Sequence, residues 1–449
     1  MSATLYAARW VLPVASAPIA DGAVLVEGDT IAWVGPASNA PRVRRVELGD
    51  SVLMPGLVNA HVHLELTVLR GLLDGLAFFD WVRTLTRLRA TAMSADDHLV
   101  SARLGVAEGL LAGVTCYGDT ADSRAPFDAL REGGARGVAY RELFGPDPAQ
   151  RDTSIAECEA KLDAMERDAT ALVRVGVSPH APYSVSDALF TAAAAMARAR
   201  GLPLAVHIAE SEAESALVVN GAGRFVEFLE GRGITVTPRA RTPIALLEAT
   251  GVLGADCLCI HAVRTTATDI GRLRAHGASV AHCPASNAKL GHGIAPLAAL
   301  VEAGVPVGLG TDSMASNDAH DLIGEARLAL LAQRAYRNDP AWGSAALALE
   351  LATTGGARAL GLGGVVGAVV PGMQADLAAF PLDPARRGAA EPAAQLVWAQ
   401  PGVRAHLTVV AGRELVRDGR LTGVPLAAVT APADALAARL AIARESLPR

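Results

Sequence analysis

His61 and His63 stand two residues apart in a short apolar segment. In an extended backbone, residues i and i+2 point to the same side, so the two imidazoles can bind one ion. His207, His261 and Asp312 lie further along the chain, each near the end of another apolar run. Imidazole nitrogens with a carboxylate favour Zn²⁺, and Fe²⁺ or Mn²⁺ are the alternatives. We therefore predict a divalent metal site in which three histidines and Asp312 leave room for a bound water.

A divalent cation lowers the pKa of a bound water from about 16 toward about 7, and the resulting nucleophile needs a group that moves its proton. Glu210 lies three residues beyond His207, close enough to act on a substrate without binding the metal. The other interpretation of Glu210 is a solvated helix-capping carboxylate, because further acidic residues follow it. His261 is either a fifth ligand or a hydrogen-bond partner of the attacking water. Asp312 follows Gly310, which permits close approach of the backbone.

A regular scaffold must bring these distant residues together. Across residues 55–363, short apolar runs alternate with Ala- and Leu-rich amphipathic stretches that predict helices. The eight apolar runs span residues 57–60, 114–117, 137–140, 173–177, 204–206, 257–260, 279–281 and 305–309. A polar residue follows the end of each run, namely His61, Asp119, Arg141, His180, His207, His261, His282 and Asp312. Because chemistry in (β/α)8 barrels takes place at the carboxyl ends of the strands, we predict an α/β fold with a TIM-type barrel over residues 55–363.

Strand patterns with polar turns occupy both ends of the chain. They span residues 23–26, 31–34, 375–380, 406–410 and 414–416. Neither end alone has enough strands to cover the edges of its own sheet. We therefore predict that residues 1–54 and 364–449 form one small β-sandwich domain, with a terminal helix in the second part.

The composition disfavours several classes of function. The chain has 449 residues, and its 40 basic and 46 acidic residues give a formal charge of −6. A chain without an excess of basic residues is a poor partner for nucleic acid or anionic lipid. No run of about 20 consecutive apolar residues is present, and the first residues lack the pattern of a secretory signal peptide. We expect a cytoplasmic protein that acts on a small molecule, with no nucleic-acid or membrane partner.

The chemistry-bearing segments together resemble the amidohydrolase superfamily, in its branch of metal-dependent aminohydrolases that deaminate purine and pyrimidine rings. The resemblance rests on residues 61–63, 207–210, 261, 282–287 and 310–313, with the framing segments 54–59 and 372–377. It covers nearly the whole chain, and the combination of motifs is far more specific than any one of them.

This resemblance implies a role for each candidate residue. His61, His63, His207 and Asp312 would hold one metal ion. His261 would orient the water, Glu210 would carry its proton to a ring nitrogen, and Asp312 would also act as a proton acceptor. Other branches bridge two metals with a carboxylated lysine at the end of the fourth strand, whereas this chain has His180 there, which favours one metal. A homodimer is suggested only by the resemblance.

Residues 61–67, 69–71 and 78–82 are most similar to the aminodeoxyfutalosine deaminases of menaquinone biosynthesis, although Val62 stands where those proteins commonly carry Thr. The expected activity is hydrolysis of the adenine amino group of a nucleoside derivative, with release of ammonia. Deamination of S-adenosylhomocysteine, methylthioadenosine or adenosine is an alternative, as is a chlorohydrolase or guanine-type ring hydrolase of the same branch. A non-catalytic binding scaffold is the remaining alternative, and the complete set of ligands argues against it.

Substrate contacts are less marked in the sequence. His180 and Arg141 follow strand ends and are candidates for ribose hydroxyls or a substrate carboxylate, with a buried histidine and an internal ion pair as the alternatives. Trp81 either stacks on the base or belongs to the core. Glu65 either reaches the ligand or supports His63. The remaining histidines, His292 among them, have no such context.

Overall fold

The computed structural model describes residues 3–386, 388 and 390–446 of the chain. Its strands, numbered in chain order, are β1 Ala3–Val11, β2 Ile19–Glu27, β3 Thr30–Pro36, β4 Arg45–Glu47, β5 Ser51–Pro55, β6 Leu57–Val62, β7 Val114–Ala121, β8 Arg136–Leu143, β9 Val173–Pro179, β10 Leu204–Ile208, β11 Cys257–His261, β12 Ser279–His282, β13 Val307–Leu309, β14 Leu377–Pro381, β15 Leu407–Val410, β16 Arg413–Arg417 and β17 Arg420–Leu421.

The helices are α1 Phe78–Ala92, α2 Ala95–Leu111, α3 Ala125–Gly133, α4 Arg151–Arg167, α5 Asp187–Ala199, α6 Glu212–Ser215, α7 Arg224–Glu230, α8 Pro243–Ala249, α9 Ala267–His276, α10 Pro284–Lys289, α11 Leu297–Glu302, α12 Leu322–Arg337, α13 Ala345–Glu350, α14 Gly356–Ala359, α15 Pro392–Ala394 and α16 Leu426–Glu445. Short 3₁₀ segments occupy Ala37–Asn39, Leu64–Leu69 and Pro148–Gln150, and π-helical turns occupy Ala216–Asn220, Leu351–Gly355 and Gln395–Ala399.

Strands β6 to β13 pair in sequence order in one parallel, eight-stranded sheet. A parallel bridge between Val62 and Asp312 joins the first strand to the segment after the last, and the Asp312 N–H donates to the carbonyl of His61 at 3.0 Å. Helices cover the outside, so both faces of most of these strands are buried and their sequences read as continuous apolar runs. The predicted (β/α)8 barrel is confirmed.

The barrel strands alternate between an inner and an outer layer. On β8, Val138 and Tyr140 pack inside the barrel with residues of the other strands such as Ala60, whereas Ala139 and Leu143 pack outward with the helix-facing core. Because successive strand residues point to opposite faces, Glu142 belongs to the inner set and Arg141 to the outer set. This alternation decides which polar side chains reach the barrel mouth.

Strands from both ends of the chain form a second, mixed sheet with the order β17-β16-β15-β14-β5-β1-β2-β3, and β4 pairs with β1. Strand β5 joins the two contributions, since it pairs parallel with β1 and antiparallel with β14. The expectation that the two ends combine in one β unit is therefore confirmed. The sequence patterns had not indicated β1, which lies in the middle of this arrangement.

A buried ion pair fastens the barrel to the second sheet. The Arg136 guanidinium, at the start of β8, donates to the two Asp376 carboxylate oxygens at 2.8 and 3.0 Å and to Gln374 Oε1 at 2.7 Å. Asp376 also accepts the Ala411 N–H at 2.8 Å. Both charged side chains are nearly inaccessible, at 3% and 1% exposure, so each depends on the other for compensation of its charge.

Helix α16 follows the second sheet and packs against α2, α1 and the Leu64–Leu69 segment. Among the described helices it is the one long and apolar enough to span a membrane by length and composition alone. It contains Pro432 and forms an ion pair from Arg439 to Asp97 of α2 at 2.6 Å. Length and composition alone do not identify a membrane-spanning helix.

We predict that Arg136→Ala lowers the free energy of unfolding by about 3–5 kcal/mol, because Asp376 keeps a buried charge without its partner. In a chain of this size the thermal midpoint should fall by about 5 °C. Arg103→Ala is the matched control, since its ion pair with Glu132 is about half exposed on both sides and is worth less than about 1 kcal/mol. Equal shifts for the two variants in thermal unfolding would contradict the role assigned to the buried pair.

Candidate active site

The ends of four barrel strands bring the predicted ligands together. His61 lies near the end of β6, His207 lies in β10, and Asp312 follows β13. His61 Nε2 lies 3.1 Å from Asp312 Oδ1, His63 Nε2 lies 3.5 Å from the same oxygen, and His63 Nε2 lies 3.2 Å from His207 Nε2. The ligand atoms of His61, His207 and His261 also lie within 4.8 Å of one another. The predicted metal ligands therefore form one cluster.

The hydrogen bonds of the outer ring nitrogens show why this cluster fits a cation. His63 Nδ1 lies 2.7 Å from the carbonyl oxygen of Thr120, and His207 Nδ1 lies 3.2 Å from the carbonyl oxygen of His180. A carbonyl oxygen only accepts, so each Nδ1 carries the proton and each Nε2 is a lone pair. Two lone pairs that face each other at 3.2 Å have no proton between them, and a bound cation is the group that satisfies both.

Two serines fix the Asp312 carboxylate. Ser286 and Ser316 donate their hydroxyl protons to Asp312 Oδ2 at 2.5 and 2.8 Å. This leaves Oδ1 turned toward His61 and His63. Although burial favours its neutral form, the hydrogen bond with His61 and the electrostatic influence of the neighbouring His261 and His61 rings hold the pKa of Asp312 well below its usual range. The carboxylate is therefore ionised and available as a metal ligand.

Burial keeps the histidine ligands neutral. It lowers the pKa of His61 to about 4, against the opposing hydrogen bond with Asp312. Burial and the neighbouring imidazole of His61 lower the pKa of His63 to about 3, and burial with the charge of His63 does the same for His207, also to about 3. Neutral imidazoles with free Nε2 lone pairs are the form that binds metal.

Backbone strain concentrates at this cluster. Ala209, His261, Ala262 and Asp312 have positive φ angles of 51°, 72°, 48° and 55°. Such conformations cost about 1–3 kcal/mol each outside glycine and are retained where the surrounding structure imposes them. Gly310 is subject to a steric constraint, because a Cβ atom at this position would lie 2.8 Å from the carbonyl oxygen of His61. The close approach of this loop to β6 therefore requires glycine.

Glu210 lies beside the cluster, as the sequence predicted. Its Oε1 is 3.5 Å from His261 Nε2 and 3.3 Å from His292 Nε2. Burial raises the pKa of Glu210, but the charges of His261 and His292 outweigh it and bring the pKa to about 2. His261 in turn is oriented by Asn287, whose Oδ1 lies 2.9 Å from His261 Nδ1. The buried His292 was not among the candidates, since no local pattern marks it in its loop.

A second glutamate holds the Glu210 backbone in place. Glu214 is fully buried and accepts the N–H groups of Ala209 and Glu210, both at 2.8 Å. Ser211 caps the short helix α6 through the N–H of Glu214 at 3.1 Å. Glu214 is one of the acidic residues that follow Glu210 in the sequence, and no role was predicted for it. In the structure it fixes the strained turn at Ala209.

A cavity of about 580 Å³ opens above the cluster. Its wall includes His63, His207, Glu210, His261 and Asp312 together with a broad aromatic surface. That surface is formed by Phe78, Phe79, Trp81, Phe144, Tyr183, Phe225 and Phe228. A concave, largely apolar pocket with a few converging polar groups is typical of a small-molecule site.

Two of the four predicted substrate contacts lie on this wall. Trp81 lines the cavity while its indole N–H donates to the carbonyl of Ala315 at 3.3 Å, and His180 lines it with its Nδ1 2.7 Å from Ser184 Oγ. Arg141 is not part of the lining, since it points outward toward Cys158 of α4.

Glu65 is also absent from the lining. Its carboxylate accepts from Arg89 at 2.5 Å and from the hydroxyl of Ser123. Glu65 therefore lies behind the wall, where it holds the cavity-lining Arg89. The two interpretations left open were a contact with the ligand and support of His63, and the hydrogen bonds of Glu65 among the described residues go to Arg89 and Ser123 instead.

Residues 52–415 match the model of the amidohydrolase family, and the chain belongs to this family. The resemblance noted from the sequence and the expectation of a metal-dependent aminohydrolase are confirmed. An adenosine deaminase from Xanthomonas campestris with bound zinc has a similar structure, with a TM-score of 0.86, 28% sequence identity and coverage of 97% of this chain and 98% of that one.

Further relatives share most of the chain. A protein from Nitratidesulfovibrio vulgaris named 5-methylthioadenosine/S-adenosylhomocysteine deaminase is 34% identical over 414 residues, which cover 90% of this chain and 89% of the relative. The zinc complex of atrazine chlorohydrolase from Arthrobacter aurescens gives a TM-score of 0.84 at 27% identity, with 97% of this chain and 100% of that chain covered. Zinc in two similar structures and the histidine-aspartate cluster of this chain support a divalent metal, most simply Zn²⁺.

We predict that metal affinity depends only weakly on pH between 7.5 and 5. Protons compete with a metal only below the pKa of a ligand, and burial has brought the pKa values of His61, His63 and His207 to about 4, 3 and 3. Three imidazoles with ordinary pKa values near 6.5 would each lose about 30-fold in affinity at pH 5. Competition with a chelator of known pH dependence should show a loss of less than about tenfold in total. A loss of more than a thousandfold would contradict the neutral-ligand arrangement.

Proposed function

We propose that this chain hydrolyses the amino group of an adenine ring in a nucleoside and releases ammonia. The observation that carries the proposal is Glu210, an ionised and buried carboxylate that lies on the cavity wall directly beside the metal cluster. A deaminase needs such a group, because a ring nitrogen must be protonated as water adds to the neighbouring carbon. The names of the relatives support the same class of substrate.

Each residue of the site has a separate role in the proposed reaction. His61, His63, His207 and Asp312 would hold a divalent ion, which would supply Lewis acidity and lower the pKa of a water toward about 7. Glu210 accepts a proton from this water and delivers it to the ring nitrogen next to the carbon under attack. Oxygen adds to that carbon, which becomes tetrahedral.

The second half of the reaction expels the amine. His261, held by Asn287, presents Nε2 toward Glu210 and orients the water. Asp312 takes the second proton of the water and returns it to the amine. The carbon–nitrogen bond then breaks, and the products are ammonia and the 6-oxo ring.

The cavity wall supports a nucleoside with an aromatic acid as its ribose substituent. Arg83, Arg87 and Arg232, here called the arginine rim, line the cavity, are exposed and have no ion-pair partner among the described residues. The guanidinium groups of Arg83 and Arg232 lie 5.7 Å from the ring centroids of Phe79 and Phe228. Aromatic side chains bind an aryl group, and unpaired guanidinium groups bind a carboxylate.

We therefore propose aminodeoxyfutalosine, which carries an aryl carboxylate, as the substrate, and with it a place in menaquinone biosynthesis. Methylthioadenosine and S-adenosylhomocysteine are the second candidate, favoured by the names of the relatives. Methylthioadenosine has no charge for the arginine rim to bind, whereas S-adenosylhomocysteine carries a carboxylate. Methylthioadenosine is therefore the compound that separates the two proposals.

We expect Glu210→Gln to lower kcat for ammonia release by at least about a thousandfold while the chain keeps its metal, because the proton carrier is lost and no ligand is removed. Glu212→Gln is the matched control, since that side chain is 77% exposed and pairs only with Arg264. Steady-state ammonia release and metal content per chain are the two measurements. Near-normal turnover in Glu210→Gln would show that another group carries the proton.

Substrate choice should follow the arginine rim. We expect kcat/KM for aminodeoxyfutalosine to exceed that for methylthioadenosine by at least tenfold in the wild-type protein. The double variant Arg83→Gln/Arg232→Gln should lower the first value about tenfold, since exposed charge contacts contribute about 1 kcal/mol or less each, and should leave the second within twofold. Arg272→Gln, an α9 residue paired with Glu248 outside the cavity, serves as control. A greater activity with methylthioadenosine would favour the second candidate.

A further inference from the structure

Glu142 carries a carboxyl group on the cavity wall to which the reaction assigns no role. It lies near the end of β8, faces the barrel interior and lines the cavity, yet it is only 5% exposed. One of its carboxylate oxygens lies with the ligand nitrogens of His63 and His207 in a group whose atoms are all within 4.8 Å of one another. It therefore borders the reacting end of the cavity, on the side of His63 and His207.

The protein itself does not satisfy this carboxylate. Glu142 Oε1 is buried and has no hydrogen-bond partner. Arg89 is the cation whose charge acts on it, but the hydrogen bonds of that guanidinium group both use Nη2 and go to Glu65 at 2.5 Å and Asp122 at 2.7 Å. Asp122, Glu65 and Asp119 add negative charge around it. A buried acceptor without a partner in a ligand cavity is a place where a ligand donor gains most.

We propose that Glu142 is a substrate-binding residue whose carboxylate accepts a hydrogen bond from an N–H or O–H group of the bound nucleoside. The inference rests on the proposed function. Burial raises the pKa of Glu142 well above its usual range, but a carboxyl group in either protonation state keeps an oxygen that accepts a hydrogen bond. The partner of that oxygen must be a hydrogen-bond donor, which the ring nitrogens of adenine are not. The donors of an adenine nucleoside are the 6-amino group and the ribose hydroxyls.

The test compares Glu142→Ala and Glu142→Gln with the wild-type protein on adenosine, 2′-deoxyadenosine, 3′-deoxyadenosine and 6-chloropurine riboside. We expect Glu142→Ala to lower kcat/KM for adenosine about 10- to 100-fold. Glu142→Gln, which keeps an uncharged acceptor and the side-chain shape, should recover part of this loss. One analogue lacks the donor that Glu142 binds, and for that analogue the substitution should change kcat/KM less than threefold. The analogue that shows this small change therefore identifies the donor group that Glu142 binds.

Arg141→Ala is the control, because it alters the adjacent residue of the same strand on the face away from the cavity. Any effect of this control should be the same for all four compounds. An equal loss for all four compounds in Glu142→Ala and Glu142→Gln, or no loss with adenosine, overturns the inference. Loss of more than half of the bound metal in Glu142→Gln also overturns it, because Glu142 would then be a ligand. If the wild-type protein releases ammonia from no nucleoside, the proposed function fails first.

Discussion

The unprotonated ring nitrogens of His63 and His207 face each other at 3.2 Å, and the structure around the barrel mouth depends on this contact. Two lone pairs that face each other at this distance repel unless a cation lies between them. The protein prevents the alternative, a proton, by tying each outer nitrogen to a backbone carbonyl and by burying both rings. The site is therefore arranged for a metal before any metal binds.

The barrel closes at the same place. The bridge between Val62 and Asp312 is both the junction of the first and last strands and the contact that brings the carboxylate to His61. A shift of one residue in this register would turn Asp312 away from the histidines. Gly310 permits the approach, and Ser286 and Ser316 fix the carboxylate once it is there. The register that closes the barrel is therefore the same register that assembles the site.

Four of the ten described non-glycine residues with positive φ angles lie in the turns that carry the reacting groups. Positive φ angles at Ala209, His261 and Asp312 turn the chain sharply where each strand ends. Each turn has its own support, such as Glu214, which binds the N–H groups on both sides of the peptide bond that links Ala209 to Glu210. Rigid strands with supported turns fix the positions of Glu210 and the metal-binding side chains, as the proposed proton transfer requires.

The sequence was sufficient for the barrel and the ligand cluster because each depends on a local pattern. Buried parallel strands produce apolar runs, and the polar residue at the end of each run marks the barrel mouth. The same burial hides the direction of a side chain, since both faces of such a strand are apolar. Arg141 and Glu142 are adjacent polar residues at one strand end, and only the packing of Val138 and Tyr140 inside the barrel shows that Glu142 faces the cavity.

His292 and Glu214 escaped prediction for a different reason. Both act through contacts that depend on tertiary approach, His292 from a loop to Glu210 and Glu214 back onto the turn that precedes its own helix. No periodicity or spacing encodes such contacts. Strand β1 was missed because Tyr6 and Ala8 pack on one face while Leu5 and Ala7 pack on the other, so its sequence lacks the alternation of a half-buried strand.

Chemistry and selectivity occupy different parts of this molecule. The metal ligands and Glu210 lie on strand ends and their turns, whereas helix α1 supplies Phe78, Phe79, Trp81, Arg83, Arg87 and Arg89 to the cavity wall. A change on α1 alters what the cavity binds without disturbing the cluster, because no residue of α1 contributes a ligand. Deaminases and a triazine chlorohydrolase can therefore share this barrel. The substrate of this chain must accordingly be inferred from the charges and aromatic rings of α1 and the facing loops, and not from the metal site.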